Sequence, residues 1–202
     1  MKTIASTALP AHVQQPRYDR EQLRSRIVHF GFGAFHRAHQ ALLTNRVLNA
    51  RGGDWGICEI SLFSGDVLMR QLRAQDHLFT VLEKGAEGNQ PIIIGAVKEC
   101  LNAKLDSLAA IIEKFCEPQV AIVSLTITEK GYCIDPATGK LDMQNSRILH
   151  DLEHPSEPHS APGILVEALH RRRERGLPAF TVLSCDNIPD NGHVVKNAVL
   201  GM

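Results

Sequence analysis

Two glycines one residue apart give this sequence its clearest pattern for chemistry. Gly31 and Gly33 follow a short apolar run at residues 27–30 and precede a helix-like pattern. A backbone without Cβ atoms at such a point lets a phosphate approach the N–H groups where a helix starts. The pattern predicts the strand, turn and helix that open a dinucleotide-binding fold. The candidate cofactor contacts are Gly31, Phe32, Gly33, Ala34, Phe35 and His36.

The third glycine of the usual G-x-G-x-x-G pattern is replaced here by His36. His36 and His39 are three residues apart on a predicted helix start, but a metal site would need a third and a fourth ligand, and the sequence indicates none. We therefore expect no metal. We expect Phe35, His36 and Arg37 to line the cofactor or substrate cleft, and the alternative for each histidine is a surface or internally hydrogen-bonded position.

An acidic residue after the second strand should bind the adenosine ribose hydroxyls of the dinucleotide. Asp66 is the candidate, and Glu59 is the alternative, although Glu59 lies within the predicted strand. A carboxylate at this point would repel a 2′-phosphate, so the expected cofactor is NAD rather than NADP. Asp66 could equally be the N-cap of the helix that follows it.

Thr126 and Thr128 follow a continuous apolar run at residues 120–125, which is typical of a parallel strand covered on both faces. Ligands bind at the carboxyl ends of such strands, so both threonines are candidates for contacts near the nicotinamide. Lys130 has the right chemistry for a general base if it is desolvated, but a salt-bridged or solvated lysine is the simpler expectation.

Asn187 follows a second buried run, at residues 180–184. An amide N–H donor at that strand end could hold the oxygen of a carbonyl group as charge develops on it, which is an oxyanion-type catalytic role. Asn191 is the alternative for this role, and one of the two asparagines could simply cap the helix that starts near Gly192.

Strands and helices alternate along the chain, which predicts an α/β fold with a doubly wound, mostly parallel sheet and an added β-hairpin. Besides the runs above, the expected strand is 54–62 and the expected hairpin pairs 77–83 with 91–97. The expected helices are a long first helix after the glycines, 67–75, 105–116, 162–175 and 192–200, with a short one near 145–151 inside a polar excursion at 134–160. Residues 1–24 are expected to form an N-terminal arm, and residues 25–202 the dinucleotide-binding domain.

The bulk composition excludes several classes of function. The 202 residues are 44% apolar and 22% charged, with a formal net charge of zero, which argues against nucleic acid or an anionic membrane as partner. No apolar run approaches the ~18 residues of a membrane span, and no signal peptide is visible, so we expect a cytoplasmic protein. The five cysteines lack any C-x-x-C spacing and are expected to be reduced thiols.

The wording around these residues resembles the long-chain mannitol dehydrogenase family of polyol and sugar-acid dehydrogenases. The resemblance rests on Gly-Phe-Gly-Ala-Phe-His-Arg-Ala-His-Gln at 31–40 and on the stretches at 54–59, 124–132 and 184–192. Together with Leu-Glu-Lys-Gly-Ala-Glu at 82–87, these stretches are most similar to the fructuronate reductases, also called mannonate oxidoreductases.

This resemblance implies hydride transfer between NAD and a small sugar acid, D-mannonate or D-fructuronate, and it favours Asn187 as the catalytic amide. It also implies a second, largely helical domain with a catalytic lysine in a Lys-x-x-x-x-Asn-x-x-His motif. That motif is absent here, since Lys140 and Asn145 are followed by Ile148. The chain is therefore expected to need that missing C-terminal domain. The alternatives are a truncated, inactive nucleotide-binding module and a mannitol- or arabinitol-type polyol dehydrogenase.

Overall fold

The computed structural model describes residues 4, 8–62, 64–86 and 88–202. In it the chain forms two compact units. The first unit ends at Asp106, and the second begins at Ser107. No helix of the described part is both long and apolar enough to cross a membrane.

The first unit contains a parallel three-stranded sheet, a separate antiparallel hairpin and four helices in its described part. In chain order these elements are β1 (Arg24–Phe30), α1 (Ala34–Ala38), α2 (Gln40–Arg51), β2 (Trp55–Ser61), α3 (Asp66–Ala74), β3 (Phe79–Gly85), β4 (Gly88–Ile94), β5 (Val97–Asn102) and α4 (Ala103–Asp106). The sheet has the order β5-β2-β1, and both of its ladders are parallel. Residues 27–30 and 56–60 are buried without a break, as expected for strands with both faces covered.

The hairpin is confirmed, but the sequence prediction merged its second strand with the strand that follows. Strands β3 and β4 pair antiparallel from Phe79↔Ile94 to Gly85↔Gly88. Gly95 and Ala96 then separate β4 from β5, and β5 runs parallel to β2 at the edge of the sheet. A Cβ atom on Gly95 would lie 2.7 Å from Cγ of Pro16, so the N-terminal segment passes closely over this connection.

The described part of the N-terminal segment lies on the first unit, whereas residues 1–3 and 5–7 are outside the described residues. Gln14 exchanges backbone hydrogen bonds with the hairpin, at Pro91 and Ile93. The hydroxyl of Tyr18 donates to the Oδ1 atom of Asn45 at 2.7 Å. These contacts connect the segment with β4 and α2.

The expected long first helix is wrong, because the structure divides it in two. Helix α1 ends at Ala38, and His39 leaves the helical region with φ −120° and ψ −91° before α2 begins. The expected helix over 105–116 is also interrupted, at Ser107, which has φ 81° and whose side chain accepts a hydrogen bond from the Ala110 amide. A positive φ at a residue other than glycine cannot continue a right-handed helix.

The second unit contains two parallel strands and four helices in regular α conformation. Its elements are α5 (Leu108–Phe115), β6 (Ile122–Leu125), α6 (Ser146–Glu153), α7 (Ala161–Glu174), β7 (Thr181–Ser184) and α8 (Asn191–Gly201). Strands β6 and β7 pair in parallel from Ile122↔Thr181 to Leu125↔Ser184. The predicted helix near 145–151 and the predicted helices over 162–175 and 192–200 are confirmed to within a few residues.

A buried arginine joins the strands and helices of the second unit. Arg172 is 1% exposed, and its guanidinium donates to the backbone carbonyls of Phe115, Glu117, Val120 and Pro178 at 2.8–3.2 Å. A buried charge is stable when hydrogen bonds satisfy its donors, and here the acceptors are carbonyls near the end of α5 and in the segments just before β6 and β7. Arg172 lies in the last turn of α7, which is basic, so one of the basic residues of that turn belongs to the core.

The five cysteines are free thiols, as predicted, and four of them are buried. Burial raises the pKa of Cys100, Cys116, Cys133 and Cys185. A raised pKa keeps a thiol protonated and poorly nucleophilic at neutral pH, so none of these four has the properties of a reactive cysteine.

Candidate functional site

The glycine turn of the first unit begins where β1 ends. Gly31 has φ 107°, a conformation that side-chain-bearing residues rarely adopt, and its amide donates to the carbonyl of Ile60 at 3.0 Å. Gly33 has φ −81° and ψ 171° and is the N-cap of α1. A Cβ atom on Gly33 would find nothing nearer than the Gly31 oxygen at 4.0 Å. The fold therefore requires glycine at Gly31, whereas at Gly33 it leaves open space above the turn.

The residues within and directly after the glycine turn differ in exposure. Ala34 and Phe35 are exposed, and the Phe35 ring, with 54% of its surface accessible, stacks on His39. Phe32 is buried and packs edge-on against Phe79. The side chains of Ala34 and Phe35 are therefore accessible to a ligand, whereas Phe32 could contact a ligand only through its backbone.

The side chain of His36 does not line a cleft, because it lies in the interior of the first unit. Its Nε2 atom is 2.7 Å from the Oε1 atom of Glu59, and both side chains are fully buried. The His36 ring also stacks on His29 with ring centroids 3.4 Å apart and planes inclined by 13°. From the sequence we expected His36 to line a cleft and gave a surface or internally hydrogen-bonded position as the alternative. The structure shows the internally hydrogen-bonded position.

The protonation states of this buried group follow from its surroundings. Burial, and then the neighbouring His36 ring, hold the pKa of His29 well below its ordinary value, so His29 is neutral at pH 7. Burial raises the pKa of Glu59, and the adjacent His36 opposes that rise. The 2.7 Å distance between Nε2 of His36 and Oε1 of Glu59 is that of a hydrogen bond.

From the sequence we considered His36 and His39 as possible metal ligands, but we did not identify the group formed by His29, His36 and Glu59. In the structure the ligand atoms of His29, His36 and Glu59 lie within 4.8 Å of one another, close enough in principle to hold an ion. The lone pair of an imidazole nitrogen lies in the plane of its own ring, and a Zn–N bond is about 2.0–2.1 Å long. Two nearly parallel planes with centroids 3.4 Å apart do not direct such lone pairs to one point. The arrangement described here is that of a hydrogen-bonded group.

Asp66 lies in the first turn of α3, but it is not the N-cap, which is Gly65. Its carboxylate is 35% exposed and lies 3.9 Å from the ammonium group of Lys104. Asp66 is therefore accessible to a ribose, with a cation beside it. Glu59, the other acidic candidate, is fully buried and has no access to a ligand at the surface.

In the second unit, Asp186 organises the loop that follows β6. Its carboxylate accepts hydrogen bonds from the amides of Ile127 and Thr128 at 2.9 and 3.0 Å and from the hydroxyl of Tyr132 at 2.6 Å. Thr128 has φ 64°, a conformation that costs roughly 1–3 kcal/mol for a residue with a side chain. The carboxylate thus holds a strained loop in place, and this loop carries both candidate threonines, Thr126 and Thr128.

The two candidate asparagines have different surroundings. The Nδ2 atom of Asn191 donates to the carbonyls of Ser184 and Asp186 at 3.3 and 3.1 Å. Asn187 is exposed, and its side chain makes no hydrogen bond to any residue that the structure describes. The amide of Asn191 is thus used in closing the turn after β7, whereas that of Asn187 is available to a ligand.

A cavity of about 480 Å³ opens beside these residues in the second unit. Its walls include Glu129, Lys130, Ile188 and Pro189. Lys130 is exposed and forms no ion pair with the described residues, as expected for a solvated lysine. A second cavity, of about 510 Å³, lies between α6 and α7, and none of the predicted site residues lines it.

Comparison with known proteins places this geometry among dehydrogenases. Residues 25–202 match the family model described as the mannitol dehydrogenase Rossmann domain. The chain is 86% identical over its whole length to the uncharacterized oxidoreductase YeiQ of Escherichia coli K12 and 54% identical over 204 aligned residues to the D-mannonate oxidoreductase of the same strain. It covers 41% and 42% of those proteins.

A solved structure gives the same result for the fold. The ternary complex of Pseudomonas fluorescens mannitol 2-dehydrogenase with NAD and D-mannitol superposes with a TM-score of 0.90 at 44% identity. The match covers 95% of this chain and 39% of that one. It confirms the predicted doubly wound, Rossmann-type fold. The chain thus spans about two fifths of the length of the relatives it matches.

Proposed function

Because the chain belongs to the mannitol dehydrogenase family and matches its Rossmann domain, we propose that it is the NAD-binding part of an oxidoreductase that acts on a hexonate. The complete protein would interconvert D-mannonate and D-fructuronate. The observation that carries the cofactor role is the glycine turn, where Gly33 lacks a side chain although the fold leaves room for one. A ligand that must approach the backbone closely accounts for that glycine.

The substrate class rests on the degree of similarity. Identity is higher to the D-mannonate oxidoreductase, at 54%, than to the mannitol 2-dehydrogenase of the solved complex, at 44%. A polyol substrate is the second candidate, because that complex contains D-mannitol. In a protein that carries both domains, the proposal predicts faster oxidation of D-mannonate than of D-mannitol, and the reverse order would favour the polyol.

Six of the predicted residues have a direct ligand contact in this proposal. The turn from Gly31 to Gly33 would receive the pyrophosphate, Asp66 the adenosine ribose, and Thr126 with Thr128 the nicotinamide side. Bound NAD would supply the hydride acceptor. The free amide of Asn187 would donate a hydrogen bond to the substrate oxygen on which charge develops.

The cofactor role is tested by titrating the 202-residue chain with NADH and NADPH and following the nucleotide fluorescence. We expect NADH to bind at least about tenfold more tightly, since the carboxylate of Asp66 would repel a 2′-phosphate. Asp66→Asn should reduce the ratio between the Kd values for NADPH and NADH. Lys104→Gln, which removes the neighbouring cation, is the matched control and should increase this ratio. Equal or tighter binding of NADPH by the unmodified chain would contradict the role of Asp66.

The same preparation should not oxidise D-mannonate with NAD at a measurable rate. General-base catalysis typically contributes about 10²–10⁴ in rate, and the lysine motif that would supply the base is absent from this sequence. Turnover near one per second, on the order of ordinary enzyme rates, would show that a residue of this chain serves as the base. Lys130, at the wall of the 480 Å³ cavity, would be the first to examine.

A further inference from the structure

We propose that His29, His36 and Glu59 form a buried positioning group that holds the glycine turn in its cofactor-binding conformation. The proposal rests on the NAD-binding role given above and assigns to these residues no contact with the cofactor. It explains why the third glycine of the usual pattern can be replaced by a histidine. A glycine at that position allows close packing of helix and strand, and here a buried side-chain hydrogen bond joins them instead.

The three residues come from the three elements that surround the turn. His29 lies in β1 and Glu59 in β2, and the two are register partners in the parallel ladder. His36 lies in α1, directly after the turn. Its bond to Glu59 fixes α1 against β2, and its ring stacks on His29. The group therefore connects both ends of the turn with the neighbouring strand.

His29 also acts on the turn itself. Its Nε2 atom lies 3.1 Å from the carbonyl oxygen of Gly31, and because a carbonyl only accepts, Nε2 carries the proton. The amide of Gly33 donates to the same oxygen at 2.7 Å. Two donors thus fix the peptide that follows Gly31, a residue whose lack of a Cβ atom gives its backbone wide conformational freedom and permits its φ of 107°. A side-chain hydrogen bond with Gln40 holds His29 from the start of α2.

The polar atoms left without partners argue that stability is not the reason for this group. The Nδ1 atom of His36 and the Oε2 atom of Glu59 are buried and have no hydrogen-bond partner among the described residues. Unsatisfied buried atoms cost free energy, and replacing a buried ion pair by apolar residues of similar volume is often neutral or stabilising. What an apolar pair would lack is the directional bond between α1 and β2.

The test replaces both members of the pair by apolar residues of similar length, in the double variant His36→Met/Glu59→Met. We expect its melting temperature to stay within a few degrees of the wild type or to rise, and the Kd for NADH to increase by about tenfold or more. The control is Ile92→Ala, a core truncation in β4 away from the turn, where Ile92 is 2% exposed. It should lower the melting temperature and leave the Kd unchanged.

A second variant keeps the proposal testable if the double variant does not fold. His29→Phe retains a ring that can stack on His36 but removes the donor to the Gly31 carbonyl. It should also raise the Kd for NADH severalfold, on the scale of one lost hydrogen bond. Dialysis against EDTA should change nothing, and a loss of NADH affinity that Zn²⁺ restores would overturn the proposal in favour of a metal centre.

The positioning role and the NAD-binding role are distinguished by their outcomes in these titrations. If the unmodified chain binds NADH and a folded variant of either kind binds it equally well, the positioning role is wrong and the NAD-binding role remains. If the unmodified chain does not bind NADH, the proposed function fails and the positioning role fails with it.

Discussion

Replacing Gly33 by valine should abolish dinucleotide binding and leave the fold intact. Gly33 has φ −81° and ψ 171°, which lie in the extended region that valine adopts readily. A Cβ atom there would have the Gly31 oxygen at 4.0 Å as its nearest neighbour, which is an ordinary contact. Gly33 is an N-cap that makes no side-chain hydrogen bond, so its replacement should cost less than about 1 kcal/mol of stability.

The loss of affinity follows from the contacts that the added methyl groups would block. A hydrogen bond from a backbone N–H to a charged phosphate is worth roughly 1.5–3 kcal/mol. If the valine prevents two such bonds at the turn, the loss is about 3–6 kcal/mol, which corresponds to about 10²–10⁴ in Kd. Fluorescence titration with NADH measures this change, and far-UV circular dichroism with thermal denaturation measures the fold.

Gly31→Ala is the matched control, because this variant should lower the folding stability, whereas Gly33→Val should leave it nearly unchanged. The φ of 107° at Gly31 is strained for any side chain, so this variant should lose about 1–3 kcal/mol of folding stability. The reasoning would be refuted by a folded Gly33→Val protein that binds NADH as tightly as the wild type. The phosphate site would then lie elsewhere in the chain.

Two further predictions concern the second unit. Asp186→Ala leaves three donors without their acceptor and should lower the free energy of unfolding by about 2–3 kcal/mol in urea titrations. Glu157→Ala, an exposed control that forms no ion pair with the described residues, should change it by less than about 0.5 kcal/mol. Equal effects would show that the carboxylate of Asp186 does not hold the loop. Hydrogen bonds from Arg175, and then from Arg171, lower the pKa of Glu113 below its ordinary value of 4.5. A carboxyl with a lowered folded pKa contributes stability that is present above the unfolded pKa and is lost as the pH falls through the folded one. Glu113→Gln should therefore cost a few tenths to about 1 kcal/mol at pH 7 and progressively less below pH ~4.5, and a cost that is the same at pH 7 and pH 3 would contradict the ion pairs.

Much of the fold could be predicted because its determinants are local. The apolar runs before Gly31, Thr126 and Cys185 are strands in the structure, and the hairpin pairs nearly the predicted segments. Strand β5 could not be predicted in this way. Its three apolar residues, Val97, Cys100 and Leu101, do not alternate with polar ones, and its identity depends on pairing with β2, about forty residues earlier in the chain. A window of local sequence contains no information about that partner.

The predicted site shows the same division. Glycine spacing alone indicated the turn, and the position of Thr126, Thr128 and Asn187 after buried strands indicated the ligand-binding strand ends. Position after the strand did not separate Asn187 from Asn191, and only the family resemblance favoured Asn187. That the turn after β7 uses the amide of Asn191 is visible only in the structure. The cofactor roles of these residues remain predictions.

The sequence by itself determined the glycine turn, the position of most strands and helices, and the family resemblance, since each is set by residue type and spacing along the chain. Only the tertiary structure decided what His36 does. Its partner Glu59 is 23 positions away and its stacking partner His29 precedes the turn, so nothing local connects the three. They meet because β1 and β2 pair in register and α1 packs against them, and burial then leaves their polar groups to bond with other groups of the protein or not at all.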